Sequence, residues 1–467
     1  MLALGLFTVL AATLRFCHLF SPDSLWFDEL ATWALTAKPT LQTMLQNVVE
    51  EPCPPGYYVV IWCTRFIFGD SEWSLRLPSL VAGIACVPAA YFTGKEYWGR
   101  AEGLMASLLI AITPVAVYYS QQARSYSLLI LFSFFIAYAA KRILNGNRRF
   151  FDHVFLIVAL YVSLTLHYFA AFTVLYFVGV MVWSTIARRD KKLFLSTCLC
   201  SLFTLLLISP ILPVYFRDVF HPVTRLSWIP QPTAETVRDS YTWIWSYDTL
   251  GLYLMYASLG LALAKWSLKR SSGASGGSSG VVIFSLSILL ILSSVYVISM
   301  YSSSIFVRRS LLILLPSYIL LMAYGSVPGP PKLRFLAAAP WLVTAFFIYF
   351  PAHEFTLEGK EDWRAALRWA GTKSPSSELF ISAPSFTKYY YRDSFPAPRV
   401  HELKEQTKIL DPAVVANAEM LIIIQRSYNA PELLLEDLAK TFELVKTPLF
   451  EGLVVHEFIR RTKPLVR

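Results

Sequence analysis

Eleven long apolar runs constrain this chain more than any other feature of its sequence. A helix needs roughly 20 apolar residues to cross a bilayer, and most of these runs approach that length. Charged residues make up only 15% of the 467-residue chain. The sequence therefore predicts a polytopic α-helical membrane protein with about eleven spans. The runs are Leu2–Phe20, Leu77–Gly94, Gly103–Tyr119, Ser127–Ala140, Val154–Leu166, Phe169–Ile186, Leu193–Phe216, Tyr241–Ala264, Val281–Met300, Leu311–Tyr324 and Phe335–Phe350.

Basic residues set the predicted orientation of these spans. The run Tyr57–Phe68 is short and contains Arg65, so we treat it as interfacial or re-entrant rather than spanning. With the N-terminus inside, fifteen lysines and arginines then fall on inner loops, as the positive-inside rule requires. The net charge of +10 thus needs no nucleic acid partner to explain it. The fifteen are Lys95, Arg100, Lys141, Arg142, Arg148, Arg149, Arg188, Arg189, Lys191, Lys192, Lys265, Lys269, Arg270, Lys332 and Arg334.

The composition changes after Pro351, where apolar runs shorten and charges appear. Strands are predicted at Glu378–Ser382, Met420–Ile424 and Leu453–Ile459. Helices are predicted at Trp363–Gly371 and Pro431–Phe442, the second with Asn429 as a cap. We therefore divide the chain into a transmembrane module, residues 1–350, and a small extracytoplasmic α/β domain, residues 351–467. The module includes an outer loop over residues 21–76 with juxtamembrane helices.

Two adjacent carboxylates, Asp28 and Glu29, follow the first apolar run within the aromatic stretch SLWFDELATW (Ser24–Trp33). Ionisable groups at a membrane boundary are costly and commonly functional, and a carboxylate can take a proton from an attacking hydroxyl group. The alternative is structural, because the helix dipole favours acids in the first turn of a helix. From these ten residues alone the two interpretations are equally supported.

Further charged and aromatic residues fall on the outer side of the predicted topology. They are Arg124 with Tyr126, His167 with Tyr168, and the pair Arg308 and Arg309. An arginine at a membrane edge commonly anchors its helix by snorkelling. Arginines on the outer side run against the topology rule, however, and guanidinium groups suit phosphate. The pattern indicates a site for a lipid phosphate and a hydroxyl acceptor. For His167 we favour a structural role over hydrogen-bond donation or metal binding.

Six segments combine these residues into motifs: SLWFDEL (Ser24–Leu30), PPGYYVVIWCTRFIFGDSEWSLRLPSLVAG (Pro54–Gly83), YYSQQARSYSLL (Tyr118–Leu129), LHYFAAF (Leu166–Phe172), FVRRSLLILLPSYILL (Phe306–Leu321) and EDWRAALRWAG (Glu361–Gly371). Together they resemble the motifs of the polyprenyl-phosphate-dependent glycosyltransferases of the GT-C superfamily. The closest likeness is to the protein mannosyltransferase and aminoarabinose transferase group. The resemblance covers most of the chain, but its motifs do not indicate which sugar is used.

The resemblance implies roles for individual residues. Asp28 falls on the general base of the group, with Glu29 beside it. The substrate-binding residues it implies are Arg124, Tyr126, His167, Tyr168, and Arg308 or Arg309.

Two departures from the group's pattern concern a metal. Many relatives have histidine where this chain has Cys53, and glutamate where it has Gln122. Both departures remove acids or metal ligands. We therefore assign no cofactor from the sequence and leave a divalent metal open.

The activity implied is that of a membrane-bound hexosyl- or pentosyltransferase. It would move a sugar from a polyprenyl-phosphate-linked donor to a hydroxyl group of a lipid, glycan or protein acceptor, with Asp28 as general base. The expected place is the outer face of a bacterial inner membrane. The alternative from another class is a transporter or flippase of a lipid-linked sugar. Transporters place ionisable groups near the bilayer midplane, where the predicted spans have almost none. A third interpretation is an inactive relative that acts as a scaffold.

Overall fold

The structure is a computed structural model, and it describes residues 1–17, 24–48, 53–147, 149–220, 229–242, 249–271, 278–328, 331–349, 361–373, 377–381, 384–391, 399–403, 410, 412–426, 438–450 and 452–461. These residues form two compact units. The first contains residues 1–17 and 39–349, and the second contains residues 24–38 and 361–461. The segment that follows the first apolar run therefore belongs with the tail of the chain.

Helices make up the first unit, and each predicted apolar run contains at least one of them. Two 3-10 helices, Arg308–Leu314 and Pro331–Ala338, precede the last two α-helices of this part of the chain. The α-helices, of which α2 belongs to the second unit, are α1 (Leu2–Cys17), α2 (Phe27–Thr36), α3 (Leu41–Val48), α4 (Gly56–Phe68), α5 (Glu72–Tyr97), α6 (Arg100–Ile112), α7 (Pro114–Ser120), α8 (Tyr126–Leu144), α9 (Phe150–Leu166), α10 (Ala170–Arg188), α11 (Lys191–Ile208), α12 (Leu212–Phe220), α13 (Ala234–Thr242), α14 (Thr249–Ser271), α15 (Ser278–Tyr301), α16 (Leu315–Ser326) and α17 (Ala339–Tyr349).

Six helices of the described part of the chain are long and apolar enough to cross a membrane. The number rises to seven if α6 and α7, which meet at an angle of 59°, form one broken span. Four further apolar helices are shorter, and α4, predicted to be interfacial, is one of them. The prediction of a multi-spanning helical protein is confirmed, whereas the count of eleven spans and their orientation stay predictions.

Helix α5 contacts α1, α4, α6, α7 and α8 in the first unit. Its tight pairing with α6 requires glycine on both sides. A Cβ at Gly103 would lie 2.5 Å from the carbonyl oxygen of Tyr91, and a Cβ at Gly94 would lie 3.0 Å from the Cα of Gly103. Since the two backbones leave no room for a side chain, these glycines fix how closely α5 and α6 approach.

The second unit contains a six-stranded mixed sheet. Strands β1, β2 and β3 are parallel, β6 pairs antiparallel with β3, and the strand order is β2-β1-β3-β6-β4 with β5 also paired to β6. Besides α2, three helices are described in this unit. The ranges are α18 (Trp363–Gly371), β1 (Ser377–Ile381), α19 (Pro384–Tyr391), β2 (Val400–Glu402), α20 (Pro412–Asn417), β3 (Met420–Arg426), β4 (Phe442–Lys446), β5 (Leu449–Phe450) and β6 (Leu453–Arg460).

The predicted strands and the first predicted helix of this unit are confirmed. β3, a central strand of the sheet, has a run of fully buried residues, Leu421–Ile424, which shows that both faces of the sheet are covered at this strand. Asp362 caps α18 by accepting the Ala365 N–H at 3.0 Å. The predicted helix Pro431–Phe442 lies mostly outside the described residues, as does its cap at 429, and Phe442 begins β4.

Residues 24–38, which the sequence places in an outer loop of the 1–350 module, pack in the second unit instead. The Ser24 hydroxyl donates to the carbonyl of Glu361 at 2.7 Å and accepts the N–H of Trp363 at 3.1 Å. The N–H of Leu25 donates to the Tyr390 hydroxyl at 2.7 Å.

Helix α2 continues this packing through its apolar face. Leu30 is fully buried, and the ring of Trp33 meets the ring of Tyr389 edge-on with centroids 5.2 Å apart. An isolated helix of ten residues is marginal in water, so burial of this face stabilises α2.

A buried carboxylate, that of Glu361, holds the start of α2. Its side chain is 6% exposed, and its Oε2 accepts the Phe27 N–H at 3.1 Å and the Trp363 Nε1–H at 2.7 Å. Phe27 is the first residue of α2, and the first N–H groups of a helix have no partner within the helix. A carboxylate at that position also complements the positive end of the helix dipole.

We predict that Glu361→Ala loosens α2. Loss of the carboxylate removes two hydrogen bonds to a charged acceptor, each of which contributes about 1.5–3 kcal/mol. Hydrogen–deuterium exchange of the purified chain should show faster amide exchange across residues 24–36. Glu443→Ala, at an exposed position of β4, is the matched control and should leave that exchange unchanged. Equal exchange across residues 24–36 in wild type and Glu361→Ala would mean that Glu361 does not hold the helix.

Candidate active site

The two adjacent acids of α2 have different environments. Glu29 is fully buried, and its Oε2 accepts the N–H of Trp26, the residue before the helix, at 3.3 Å. Glu29 therefore satisfies a donor at the start of its own helix, which is the structural alternative considered from the sequence. Asp28 is partly exposed. Of the two acids, Asp28 is the one with exposed surface, although its Oδ2 is buried.

The predicted phosphate-binding residues belong to the first unit. Arg124 lies in the short segment between α7 and α8. The Ser79 hydroxyl of α5 donates to the carbonyl of Arg124 at 2.8 Å, and the hydroxyls of Tyr57 and Ser79 are 3.3 Å apart. The backbone at Arg124 is thus attached to α5, and through it to α4. Neither Tyr57 nor Ser79 was given a role from the sequence, although both lie in the motif Pro54–Gly83.

Aromatic rings connect Arg124's neighbours to the turn between α9 and α10. The ring of Tyr126 lies 4.9 Å from that of Tyr119 and 5.9 Å from that of His167. The N–H of Phe169 donates to Nδ1 of His167 at 3.2 Å. Because Nδ1 accepts this bond, the neutral imidazole carries its proton on Nε2.

Two arginines lie close enough to His167 to change its pKa. Burial among protein atoms, followed by the positive charges of Arg124 and Arg309, lowers the pKa of His167 from 6.5 to about 3. The residue as a whole is partly exposed. His167 is therefore neutral at physiological pH. The structure brings together Arg124, Tyr126, His167 and Arg309.

The neighbouring arginine, Arg308, has a different partner. Its guanidinium lies 3.6 Å from the Asp239 carboxylate of α13, and both side chains are partly exposed. The sequence assigns both Arg308 and Arg309 to the phosphate site; the two have different surroundings, and the role of each at a phosphate stays a prediction. Asp239 was not singled out from the sequence, where nothing distinguishes it from the other charges of α13.

Tyr168 also has an aromatic partner of its own. Its ring packs edge-on against Tyr215 of α12 with centroids 4.6 Å apart, and the Tyr215 hydroxyl donates to the carbonyl of Leu164. Tyr168 thus connects the turn after α9 to α12.

The described residues contain no group of three or more histidine, cysteine, aspartate or glutamate side chains that could hold a metal ion. Gln122, at the position where many relatives have glutamate, is fully buried. Neither atom of its side-chain amide has a hydrogen-bond partner among the described residues. A divalent metal stays open.

Known proteins resemble the chain in sequence over part of its length. A family model described as dolichyl-phosphate-mannose-protein mannosyltransferase matches residues 52–213. YkcB of Bacillus subtilis (strain 168), which carries a provisional mannosyltransferase name, is 33% identical over 79 residues. That match covers 17% of this chain and 11% of YkcB.

Solved structures share the fold of nearly the whole chain. ArnT from Cupriavidus metallidurans in the apo state has a TM-score of 0.63 at 12% identity and covers 97% of both chains. The same protein bound to undecaprenyl phosphate has a TM-score of 0.61, with the same identity and coverage. The arabinofuranosyltransferase AftD from Mycobacteria has a TM-score of 0.54 at 12% identity, covering 99% of this chain and 40% of AftD.

These findings agree with the resemblance drawn from the motifs. The chain is an integral, multi-pass membrane protein with the fold of the GT-C glycosyltransferases, and it is similar to the dolichyl-phosphate-mannose-protein mannosyltransferase family over residues 52–213.

Proposed function

We propose that this protein transfers a sugar from a polyprenyl-phosphate donor to an acceptor hydroxyl group. The observation that supports it most is the pair of guanidinium groups, Arg124 and Arg309, around the neutral His167. Guanidinium groups match the geometry of phosphate oxygens, so two of them near one imidazole favour a phosphate ligand. A phosphate that carries a sugar and a lipid chain fits both the charge and a membrane-embedded fold. ArnT, which shares the fold, has been solved with undecaprenyl phosphate bound.

The reaction divides between two kinds of residue. The acceptor oxygen attacks the anomeric carbon of the sugar, and the bond from that carbon to the phosphate oxygen breaks. Asp28 takes the proton of the acceptor hydroxyl. The electron pair of the broken bond stays on the phosphate, where Arg124 and Arg309 stabilise the charge. In-line attack inverts the configuration at the anomeric carbon. The acceptor is a lipid, a glycan or a protein, and the active site faces outward from a bacterial inner membrane.

The two adjacent arginines provide a matched test of the phosphate site. Arg309→Gln should weaken binding of undecaprenyl phosphate to the purified chain by about tenfold or more, since a charge-assisted hydrogen bond contributes about 1.5–3 kcal/mol. Arg308→Gln removes the same charge one position earlier, next to Asp239, and should leave the affinity within about twofold, as expected for a partly exposed ion pair. Isothermal titration or a detergent-compatible fluorescence assay measures both. An equal loss in the two variants would assign the effect to overall charge and contradict the site.

The two adjacent acids provide a matched test of the base. Asp28→Asn keeps the shape of the side chain and removes the proton acceptor, so the transfer rate per folded molecule should fall by at least about a hundredfold. Glu29→Gln keeps an oxygen for the Trp26 N–H and should cost far less. The measurement uses the purified chain in lipid vesicles with a panel of undecaprenyl-phosphate hexoses and pentoses, and mass spectrometry identifies the products.

Binding of undecaprenyl phosphate in the same preparations is the control, and Asp28→Asn should retain it. Turnover near wild type for Asp28→Asn would remove Asp28 from the reaction. A loss of turnover for Glu29→Gln as large as that for Asp28→Asn would assign the base to Glu29.

A further inference from the structure

A cation lies fully buried within the first membrane helix. Arg15 of α1 has no exposed surface. Its Nη1 donates to the carbonyls of Ala111 at 2.9 Å and Ala11 at 3.2 Å, and its Nη2 donates to the carbonyl of Ile110 at 3.2 Å. Within the described part of the chain, every hydrogen-bond acceptor of Arg15 is thus a main-chain carbonyl. An ionisable residue in such a place is expensive, and its carbonyl partners indicate what it does.

Two of these carbonyls belong to the break between α6 and α7. Pro114 has no N–H, so the carbonyl of Ile110 lacks its usual donor. The chain bends by 59° at this point, and the Ala116 N–H donates to Thr113 at 3.1 Å instead of continuing the ladder to Ile112. The Tyr349 hydroxyl donates to the carbonyl of Ile112 at 3.1 Å. Arg15 and Tyr349 together supply donors to all three carbonyls that the break leaves open.

Arg15 also holds the other end of α7. Gln121, directly after the helix, donates from Nε2 to the carbonyl of Arg15 at 3.1 Å and to that of Leu14 at 3.3 Å. A single residue of α1 therefore binds the chain before α7 through its guanidinium and after α7 through its carbonyl. The direction in which α7 leaves the break is fixed at both ends.

Gly83 of α5 packs against both α7 and Arg15. A Cβ at that position would lie 2.5 Å from the Cβ of Ser120, the last residue of α7, and 3.0 Å from Nε of Arg15. The glycine gives α7 and the arginine the room to lie against α5. With Ser79 binding the carbonyl of Arg124 four residues earlier on α5, the segment from Ser120 to Arg124 is held from two helices.

We infer that Arg15 is a positioning residue that stabilises the bent form of the α6–α7 span and so aims the segment carrying Arg124. The structural half of this inference stands on the hydrogen bonds alone. The functional half, an effect on phosphate binding, rests on the proposed function. The side chain touches no substrate, so its influence has to pass through α7.

The first experiment measures the structural half without any substrate. Arg15→Met keeps the length of the side chain and removes its donors. Hydrogen–deuterium exchange should become at least about tenfold faster across residues 114–124, which corresponds to about 1.4 kcal/mol of lost local stability. Arg188→Met is the matched control, because Arg188 also donates to a carbonyl of another helix, Leu144 at 2.6 Å. It should leave that exchange unchanged.

A milder variant covers the case in which Arg15→Met does not fold. Tyr349→Phe removes one hydroxyl group from the carbonyl of Ile112 and should accelerate exchange in the same residues by a smaller factor. Unchanged exchange across residues 114–124 in the folded variants would overturn the inference.

The second experiment is a double-mutant cycle with Arg124→Lys, read out by the affinity for undecaprenyl phosphate. If Arg15 acts through Arg124, Arg15→Met should weaken binding about tenfold in the wild-type background and by less than about twofold in the Arg124→Lys background. Equal factors in both backgrounds would mean that Arg15 acts on the whole fold and would overturn the positioning role. If the wild-type chain does not bind undecaprenyl phosphate, the proposed function fails, and the exchange experiment still decides the role of Arg15.

Discussion

Main-chain carbonyls inside a membrane protein must find donors within the protein, because lipid offers none. This constraint explains the partners of two cations in the first unit, the buried Arg15 and the partly exposed Lys265. Arg15 binds the carbonyls at the α6–α7 break, and Lys265 of α14 donates from Nζ to the carbonyls of Tyr324 and Gly325, both at 2.8 Å, at the end of α16. A cation at the carbonyl end of a helix also meets the negative end of the helix dipole. These cations therefore stabilise a broken helix and a helix end by supplying donors to their main-chain carbonyls.

The acidic segment follows a different physical rule, in which carboxylates bind the N–H groups at the start of a helix. Glu29 and Glu361 both do so, at Trp26 and Phe27. These two carboxylates fix the start of α2, and one face of the helix is buried. Asp28, in the first turn, stays partly exposed. The structural interpretation of an acid at this helix end thus applies to Glu29, and the role of Asp28 as the base stays a prediction. The segment that carries Asp28 is held by residues far along the chain, since the Ser24 hydroxyl donates to the carbonyl of Glu361, 337 positions away.

Sequence periodicity and composition predict the parts of this protein that depend on local patterns. Each apolar run contains a helix, and the strands β1, β3 and β6 occur where short apolar runs lie between turns. The ion pair of Arg308 with Asp239 is not predictable, because Asp239 lies in another helix. The packing of α2 with α19 is not predictable from the sequence either, because the two helices lie far apart along the chain. Arg15 is visible only as a charge near the end of an apolar run. Its role is not predictable, because it depends on the carbonyls before Pro114, which lie next to Arg15 only in the folded structure.

The neutral state of His167 follows from its neighbours and defines what the arginine cluster offers an anion. Guanidinium groups remain charged at any physiological pH. The positive charge near His167 is then set by Arg124 and Arg309, and acidification to about pH 5 would not add a third charge, because the pKa of His167 is about 3. The imidazole still offers an Nε2–H, as its Nδ1 accepts the Phe169 N–H. A neutral donor beside two cations adds a hydrogen bond without adding repulsion. A lysine at this position would instead bring a third cation into a partly buried cluster, where the repulsion between like charges is poorly screened.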